Sequence, residues 1–290
     1  MKPGNKKTLA GCIVLYNPTN SVIKNIESYL PFLNTLYVID NTECVDEELI
    51  KKIKLLDAEI VYIQQGDNKG IAWALNKGAA LALELGYQWL LTMDQDSYFL
   101  GNEFFDSWHT NINYTIGLVA ASYTNDYDRW QKEYSQLYNE IHFAVTSGNI
   151  INLKSWENVG GFEEKLFIDE VDHDYCLKLR KHGFKILISK KVLMGHMVGQ
   201  LYNGRNNEFT ENKIFILHSP LRYYYISRNV LYLCKKYFFT DFDFIARRFY
   251  YLIKALVKIL LMYPDKVIYL GFFFKGIKDF ALSRYNKYDH

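Results

Sequence analysis

Proline and cysteine are scarce in this sequence. Five prolines serve 290 residues, and the four cysteines, Cys12, Cys44, Cys176 and Cys234, form no C-x-x-C pair. Scattered thiols without framework spacing exclude a disulfide scaffold and favour a reducing compartment. No run reaches the roughly 18 uncharged apolar residues that a membrane-spanning helix needs. The basic opening MKPGNKKTLAG carries no apolar stretch of the kind a signal peptide uses. The expected location is therefore the cytoplasm. Net charge is only +2, and no nucleic-acid-binding motif occurs, so a nucleic-acid partner is not expected. Missing too are the Walker A and G-x-G-x-x-G phosphate loops and H-E-x-x-H. Ser147-Gly148-Asn149 lacks the G-x-S-x-G context of a serine nucleophile.

What is present is apolar and aromatic. Hydrophobic residues make up 49% of the chain and aromatics 17%, with 24 Tyr and 19 Phe. That is enough to bury a core as one large domain, or as a domain with an appendage. Charge is unevenly spread. From Lys235 onward there are 11 Lys/Arg against 5 Asp/Glu, a balance of +6, which leaves about −4 on residues 1–234.

The first hundred residues alternate between apolar runs and helical spacing. LAGCIVLY (9–16), TLYVID (35–40), EIVYIQ (59–64) and QWLLTMD (88–94) read as buried strands. Between them lie helical segments at 20–33, near 46–56, and at 70–86, the last Ala-rich and closed by Gly86. Such alternation predicts a parallel α/β sheet covered on both faces. Further on, 115–122, 144–153 and 184–189 read as strands, 123–142 as a polar, aromatic loop or helix, and an acidic segment opens a helix running to Gly183. From about 210 the reading is mostly helical. A boundary near 205–215 divides an α/β body, residues 1–210, from a helical region, 211–290.

In an open α/β sheet, ligands bind at the carboxyl ends of the strands. Asp40-Asn41, Gln64-Gln65 and Asp94-Gln95-Asp96 stand at such ends. Asp94 and Asp96 can converge where the strand opens into a turn, one on a sugar hydroxyl and the other on Mg²⁺ or Mn²⁺; a solvated turn is the competing explanation. The segment GDNKGIAWALNKG offers backbone N–H groups to an anion, or is an ordinary start of a helix. Asp169, Glu170, Asp172 and Asp174 form a second acidic cluster. Helix capping explains one or two of them, and a general base is the alternative use.

Taken together, CIVLYNP, VIDN, NKGIAWALNKGAALAL, LLTMDQDS, SGNIINLKSWENVGGFEEKLFIDEVDHDYCLKLRKHG and SPLRYYYISRN resemble the inverting GT-A glycosyltransferases of family 2, and within them bacterial rhamnosyltransferases. The resemblance spans roughly residues 9–230. It implies a GT-A, Rossmann-like catalytic domain and a nucleotide-sugar donor. Asp40 would contact the nucleotide base, Tyr16 and Asn17 would line the base and ribose pocket, and Asn41 and Asn68 would join them. Asp94 would lie near the ribose, with Asp96 and His196 at a Mg²⁺ or Mn²⁺ ion on the diphosphate. Asp172 aligns with the acceptor-activating base, although Val171 replaces the Glu that usually precedes it, which keeps Glu170 as the alternative. Arg222 and Arg228 would sit on a flap, 219–229, over the donor phosphates.

The resemblance implies transfer of L-rhamnose from dTDP-rhamnose to a glycan or glycolipid acceptor. UDP-galactose or UDP-glucose is the alternative donor, and a non-catalytic nucleotide-sugar or membrane-binding scaffold the alternative class. Arg247, Lys254 and Lys258 share one stripe of a basic amphipathic helix beside Ile245, Phe249, Leu252, Ile253, Leu256, Ile259 and Leu260. This pattern, with Phe272-Phe273-Phe274-Lys275, predicts peripheral contact with an anionic membrane at its inner face. Packing on the body, or a homodimer interface, competes with it.

Overall fold

The computed structural model describes residues 8–57, 59–124, 137–196, 201–202, 215–216, 218–263 and 265–288. In chain order the elements are β1 (Leu9–Leu15), α1 (Ser21–Glu27), β2 (Leu36–Asp40), α2 (Glu47–Lys54), β3 (Ile60–Gln64), α3 (Ile71–Glu84) and β4 (Trp89–Asp94). There follow β5 (Ser97–Phe99), α4 (Glu103–Ser107), β6 (Ile116–Thr124), β7 (Tyr138–Ile141), β8 (Asn149–Asn152), α5 (Leu153–Asn158), α6 (Val171–Lys181) and β9 (Lys185–His196). Last come β10 (Leu201–Tyr202), β11 (Phe215–Ile216), α7 (Pro220–Tyr237), α8 (Phe242–Met262) and α9 (Lys266–Ala281).

The chain divides into two compact units. One holds Met1–Phe167, Val171–Met197 and Asn286–His290; the other holds Ile168–Glu170 and Val198–Tyr285. The first unit is built on a nine-stranded sheet in the order β3-β2-β1-β4-β8-β6-β9-β5, with β7 also on β9. β3, β2, β1 and β4 run parallel, as continuous apolar strands joined by helices must. Strand β1 is buried along its whole length. Small residues of α3 (Ala72, Ala74, Gly78, Ala79 and Ala82) are buried, and a Cβ on Gly78 would run into Cys12 Sγ on β1. Ile13, Leu15, Val38 and Leu91 of the sheet join one core with Val22, Ile26, Leu49, Ile53 and Phe104.

The parallel arrangement expected of the first hundred residues holds for β3, β2, β1 and β4, and beyond β4 the sheet is mixed. β8 is antiparallel to β4 and to β6, while β5 and β7 are antiparallel to opposite halves of β9. The strand expected at 144–153 is confined to Asn149–Asn152. Its first half is diverted: Thr146 O accepts from Thr92 Oγ1 at 2.6 Å, and Gly148, at φ 76°, turns the chain. β9 runs past the expected end at 189 to His196 because β5 supplies partners for its last residues. The expected loop or helix at 123–142 lies largely outside the described residues, as does most of the boundary at 205–215.

The second unit is helical. Tyr223, Ile226 and Val230 of α7, Leu252, Ala255 and Ile259 of α8, and Phe273 of α9 form its core. Gly276 on α9 faces Tyr224 O and Ser227 Oγ so closely that a Cβ there would overlap both. α7 is capped by Ser219, whose side chain accepts from Arg222 N–H, and it begins with Pro220 at a position where a missing N–H costs nothing.

Candidate active site

Register aligns the carboxyl ends of the parallel strands. Leu15 pairs with Asp40, Asp40 with Gln64, and Val14 with Asp94. Tyr16, Asn17, Asn41, Gln65, Gln95 and Asp96 therefore leave the sheet along one rim.

Side chains from neighbouring turns tie this rim together. Gln95 Oε1 accepts from Tyr16 N–H at 2.9 Å, and Gln95 Nε2 donates to Tyr16 O at 3.1 Å. Asn25 Nδ2 donates to Gln95 O at 2.8 Å. Asn17 takes φ 47°, and its N–H donates to Thr42 Oγ1 at 2.8 Å. Asp40 is 1% exposed; its carboxylate accepts from Thr42 N–H at 2.8 Å and from Tyr62 Oη at 2.6 Å. Burial and that bond to Asp40 raise the Tyr62 phenol above its ordinary range. Asn41 Nδ2 donates to Gly70 O at 3.2 Å, while its Oδ1 is buried with no hydrogen-bond donor among the described residues. Asn68 Oδ1 accepts from Gly70 N–H at 3.0 Å, and Ile71 N–H donates to Phe167 O at 2.8 Å. Two of the N–H groups around the start of α3 are thus taken within the chain, which leaves fewer for an anion.

β4 delivers the acids. Asp94 N–H donates to Ser147 Oγ at 3.0 Å, and Gly148 N–H donates to Thr92 O at 2.8 Å, so the segment 146–148 braces the strand end. The Asp94 carboxyl is pushed up to about 7, first by burial and then by the negative charges of Asp96 and Asp172. Asp96 and Asp172, from two distant segments, therefore both bear on Asp94 here. Tyr123, at the end of β6, is raised by burial and then by the same Asp172. His196 enters only through backbone register, opposite Ser97 and so next along the chain to Asp96.

Asp172 lies in the first turn of α6 and shares a tight crevice with Thr92, Thr146, Tyr175 and Cys176. Its Oδ1 accepts from His173 N–H at 2.8 Å and lies 3.4 Å from His173 Nδ1. Among the described residues it has no Lys or Arg partner. The other members of its cluster do. Asp174, fully buried, lies 3.3 Å from Lys178 Nζ. Asp169 accepts from Arg222 Nη2 at 3.0 Å, and Glu170, 5% exposed, is ion-paired with Arg248. The Cys176 thiol beside Asp172 is pushed up to about 12 by burial, which removes it as a nucleophile at neutral pH.

Arg222 and Arg228 both lie on α7, in the helical unit, and differ sharply. The Arg222 side chain is 45% exposed. Arg228 is 0% exposed and stacks over the rings of Tyr224 and Tyr225. The expectation placed it over a donor phosphate; here its guanidinium is enclosed by tyrosines. Gln95, Thr42, Tyr62, Ser147 and Tyr123 were not foreseen. Only Gln95 had a signal, as the middle residue of D-Q-D.

Among the described residues, no group of three or more His, Cys, Asp or Glu is arranged to hold a metal ion. A carboxylate rim of this kind still suits Mg²⁺ or Mn²⁺, which commonly takes one or two protein carboxylates and completes its shell with phosphates and water.

The sequence model "Glycosyl transferase family 2" matches residues 12–176, a span that contains the rim, Asp94, Asp96 and Asp172. The chain is 30% identical over 248 residues to "dTDP-rhamnosyl transferase RfbF" of Shigella flexneri, covering 77% of this chain and 79% of that protein. Among solved structures, S. aureus TarS 1-349 in complex with UDP-GlcNAc superposes with a TM-score of 0.62 at 12% identity, covering 95% of this chain and 81% of that one. GalNAc-T7 with UDP, GalNAc and Mn2+ also gives a TM-score of 0.62, at 14% identity, over 95% of this chain and 57% of that one. At such identities these structures speak for the fold.

Proposed function

Because this chain belongs to glycosyl transferase family 2, we propose that it is an inverting rhamnosyltransferase. Its donor would be dTDP-rhamnose and its acceptor a hydroxyl of a lipid-linked or cell-surface polysaccharide. The observation that carries the reading is that Asp96 and Asp172 both bear on Asp94, whose carboxyl is raised first by burial and then by these two charges. Acids gathered in this way are costly to ionise unless a ligand uses them. The donor sugar is supported by the likeness to the dTDP-rhamnosyl transferase RfbF.

Asp172 is the base in this reading, because Glu170 is buried and committed to Arg248. As the acceptor oxygen bonds to the anomeric carbon, its proton passes to an Asp172 carboxylate oxygen. The bond from that carbon to the nucleoside diphosphate breaks on the opposite face, and the diphosphate leaves with the electron pair. One displacement inverts configuration and needs one base. Asp96, with His196 beside it in the sheet register, would hold Mg²⁺ or Mn²⁺, whose charge offsets that on the leaving diphosphate. Tyr16, Asn17, Asp40, Asn41 and Asn68 would hold the nucleotide, with the unmatched Asn41 Oδ1 available to a base N–H.

A panel of sugar nucleotides with Mg²⁺ or Mn²⁺ tests the donor. dTDP-rhamnose should be turned over and raise the melting temperature. Preference for UDP-galactose or UDP-glucose would replace the rhamnosyl assignment, and no response to any donor would favour a non-catalytic scaffold.

The helical unit supports a peripheral membrane role. Phe239 (95% exposed), Phe242 and Val267 lie open to solvent together with Lys235, Lys236, Lys254 and Lys266. No helix among the described residues is long and apolar enough to cross a membrane. Contact at the inner face of an anionic membrane fits both observations.

A further inference from the structure

Left-handed backbone is uncommon outside glycine, yet Phe167, Asp169 and Glu170 adopt φ of 63°, 60° and 67° within four residues. Each such residue is strained and persists only where its surroundings hold it. Val171 and Asp172 follow directly. The upstream end of the segment is fixed where Phe167 O accepts from Ile71 N–H at 2.8 Å.

The strap Ile168–Glu170 itself packs with the helical unit, and α7 grips it through a side chain that is 0% exposed. Asn229 Nδ2 donates to Ile168 O at 2.6 Å and to Asp169 O at 3.1 Å. An amide has one accepting and one donating end. Arg228 Nε donates to Asn229 Oδ1 at 3.0 Å, which turns the NH₂ group onto the strap. Arg228 is held in turn, since its Nη1 donates to Tyr224 Oη at 3.4 Å and Tyr224 Oη donates to Asp279 Oδ2 at 3.0 Å. Arg222 and Arg248 fix the two acidic side chains of the strap. A buried chain of donors and acceptors thus runs from Asp279 through Tyr224, Arg228 and Asn229 to two carbonyls immediately before Asp172.

We propose that Asn229, oriented by Arg228, is a positioning residue for Asp172, holding the left-handed strap from which α6 starts. The proposal rests on the reading of Asp172 as the base. It gives the R-N pair of RYYYISRN a task other than phosphate binding. Its effect falls on the proton-accepting side of the reaction, because this chain of contacts ends on the two carbonyls immediately before Asp172.

Asn229→Asp tests it: the shape is kept and the donating NH₂ is lost. Initial rates of nucleoside diphosphate release are measured on the full chain, with dTDP-rhamnose or whichever panel donor the wild type turns over. Water and octyl glycosides serve as acceptors, and donor Kd is titrated in parallel. Small misplacements of a reacting group cost up to about 100-fold. The expected result is a fall in kcat of about 10- to 100-fold with donor Kd within about twofold. If Asn229→Asp does not fold, Arg248→Lys applies the same test from the other end of the strap, keeping the charge but losing the guanidinium fork. A folded variant with wild-type kcat, or one whose loss lies wholly in donor Kd, overturns the proposal. Asp172→Asn is assayed alongside. Wild-type rates there would overturn the base assignment and this proposal with it. Loss there, with wild-type kcat in folded Asn229→Asp, would overturn the positioning role alone.

Discussion

Asp96 and Asp172 carry the same charge and are expected to fail differently when changed. Asp172→Asn keeps shape and removes the proton acceptor, so transfer should fall by about 10²–10⁴ while donor affinity is kept. Asp96→Ala should abolish transfer and also weaken donor binding in the presence of Mg²⁺. Calorimetric titration of both variants separates the roles, and equal donor affinities in the two would remove Asp96 from the cation. His218 gives a pH-dependent expectation of another kind. Burial first, then Arg222 and Lys258, lower its pKa to about 4 from 6.5. The unfolded chain therefore binds a proton that the folded chain refuses between those values. The stability contributed is fully present above 6.5 and is lost as pH falls through about 4. His218→Gln should flatten the decline in melting temperature between about pH 7 and pH 5; an unchanged slope would mean another group sets it. At this scale the sequence showed where the acids were but not their partners. Glu170, Asp172 and Asp174 look alike in IDEVDHDYC, and only Arg248 and Lys178, 78 and 4 residues away, tell them apart.

Elements were easier to read than their pairing. β1 to β4 and α3 were legible because a buried parallel strand is a continuous apolar run and an Ala-rich helix leaves its own period. β8 and β9 were not, since a strand's direction and length depend on its neighbours. Thr92 claims the carbonyl of Thr146, and β5 lengthens β9, neither of which is a local property. Likewise α8 read as one amphipathic face, but it divides its apolar residues. Leu252, Ala255 and Ile259 fill the helical core, whereas Phe249, Ile253 and Leu261 stay exposed. The close approach of α7 and α9 gives an expectation for elements. Gly276→Ala places a methyl against Tyr224 O and Ser227 Oγ. It should destabilise the helical unit by roughly 1–3 kcal/mol, the usual range for overpacking. Denaturant unfolding followed by tyrosine fluorescence would detect this, and a neutral result would mean the helices can separate without penalty.

The whole molecule combines a mildly acidic body with a basic helical region. Flotation with vesicles containing phosphatidylserine should therefore retain the protein at low salt and release it as salt rises, because each Lys or Arg near the surface contributes about 1 kcal/mol and screening removes it. Retention that ignores salt would point to apolar insertion alone, and no retention on any vesicle would end the membrane proposal. The division into an α/β body followed by helices was legible as a change of composition, but the exchange of short segments between the units was not. The chain's final stretch is the example. Asn286 N–H donates to Lys165 O at 3.1 Å, and Lys287 Nζ meets Asp67 at 2.5 Å and Glu43 at 3.6 Å, all within the α/β unit. A ribosome making this protein emits the first strand of that unit at residue 9 and its last contacts only at residue 287, after every helix of the other unit. Synthesis therefore cannot finish the first unit before the second has emerged, and a nascent chain stalled at residue 210 would hold the sheet with its strap ungripped and its loops untied.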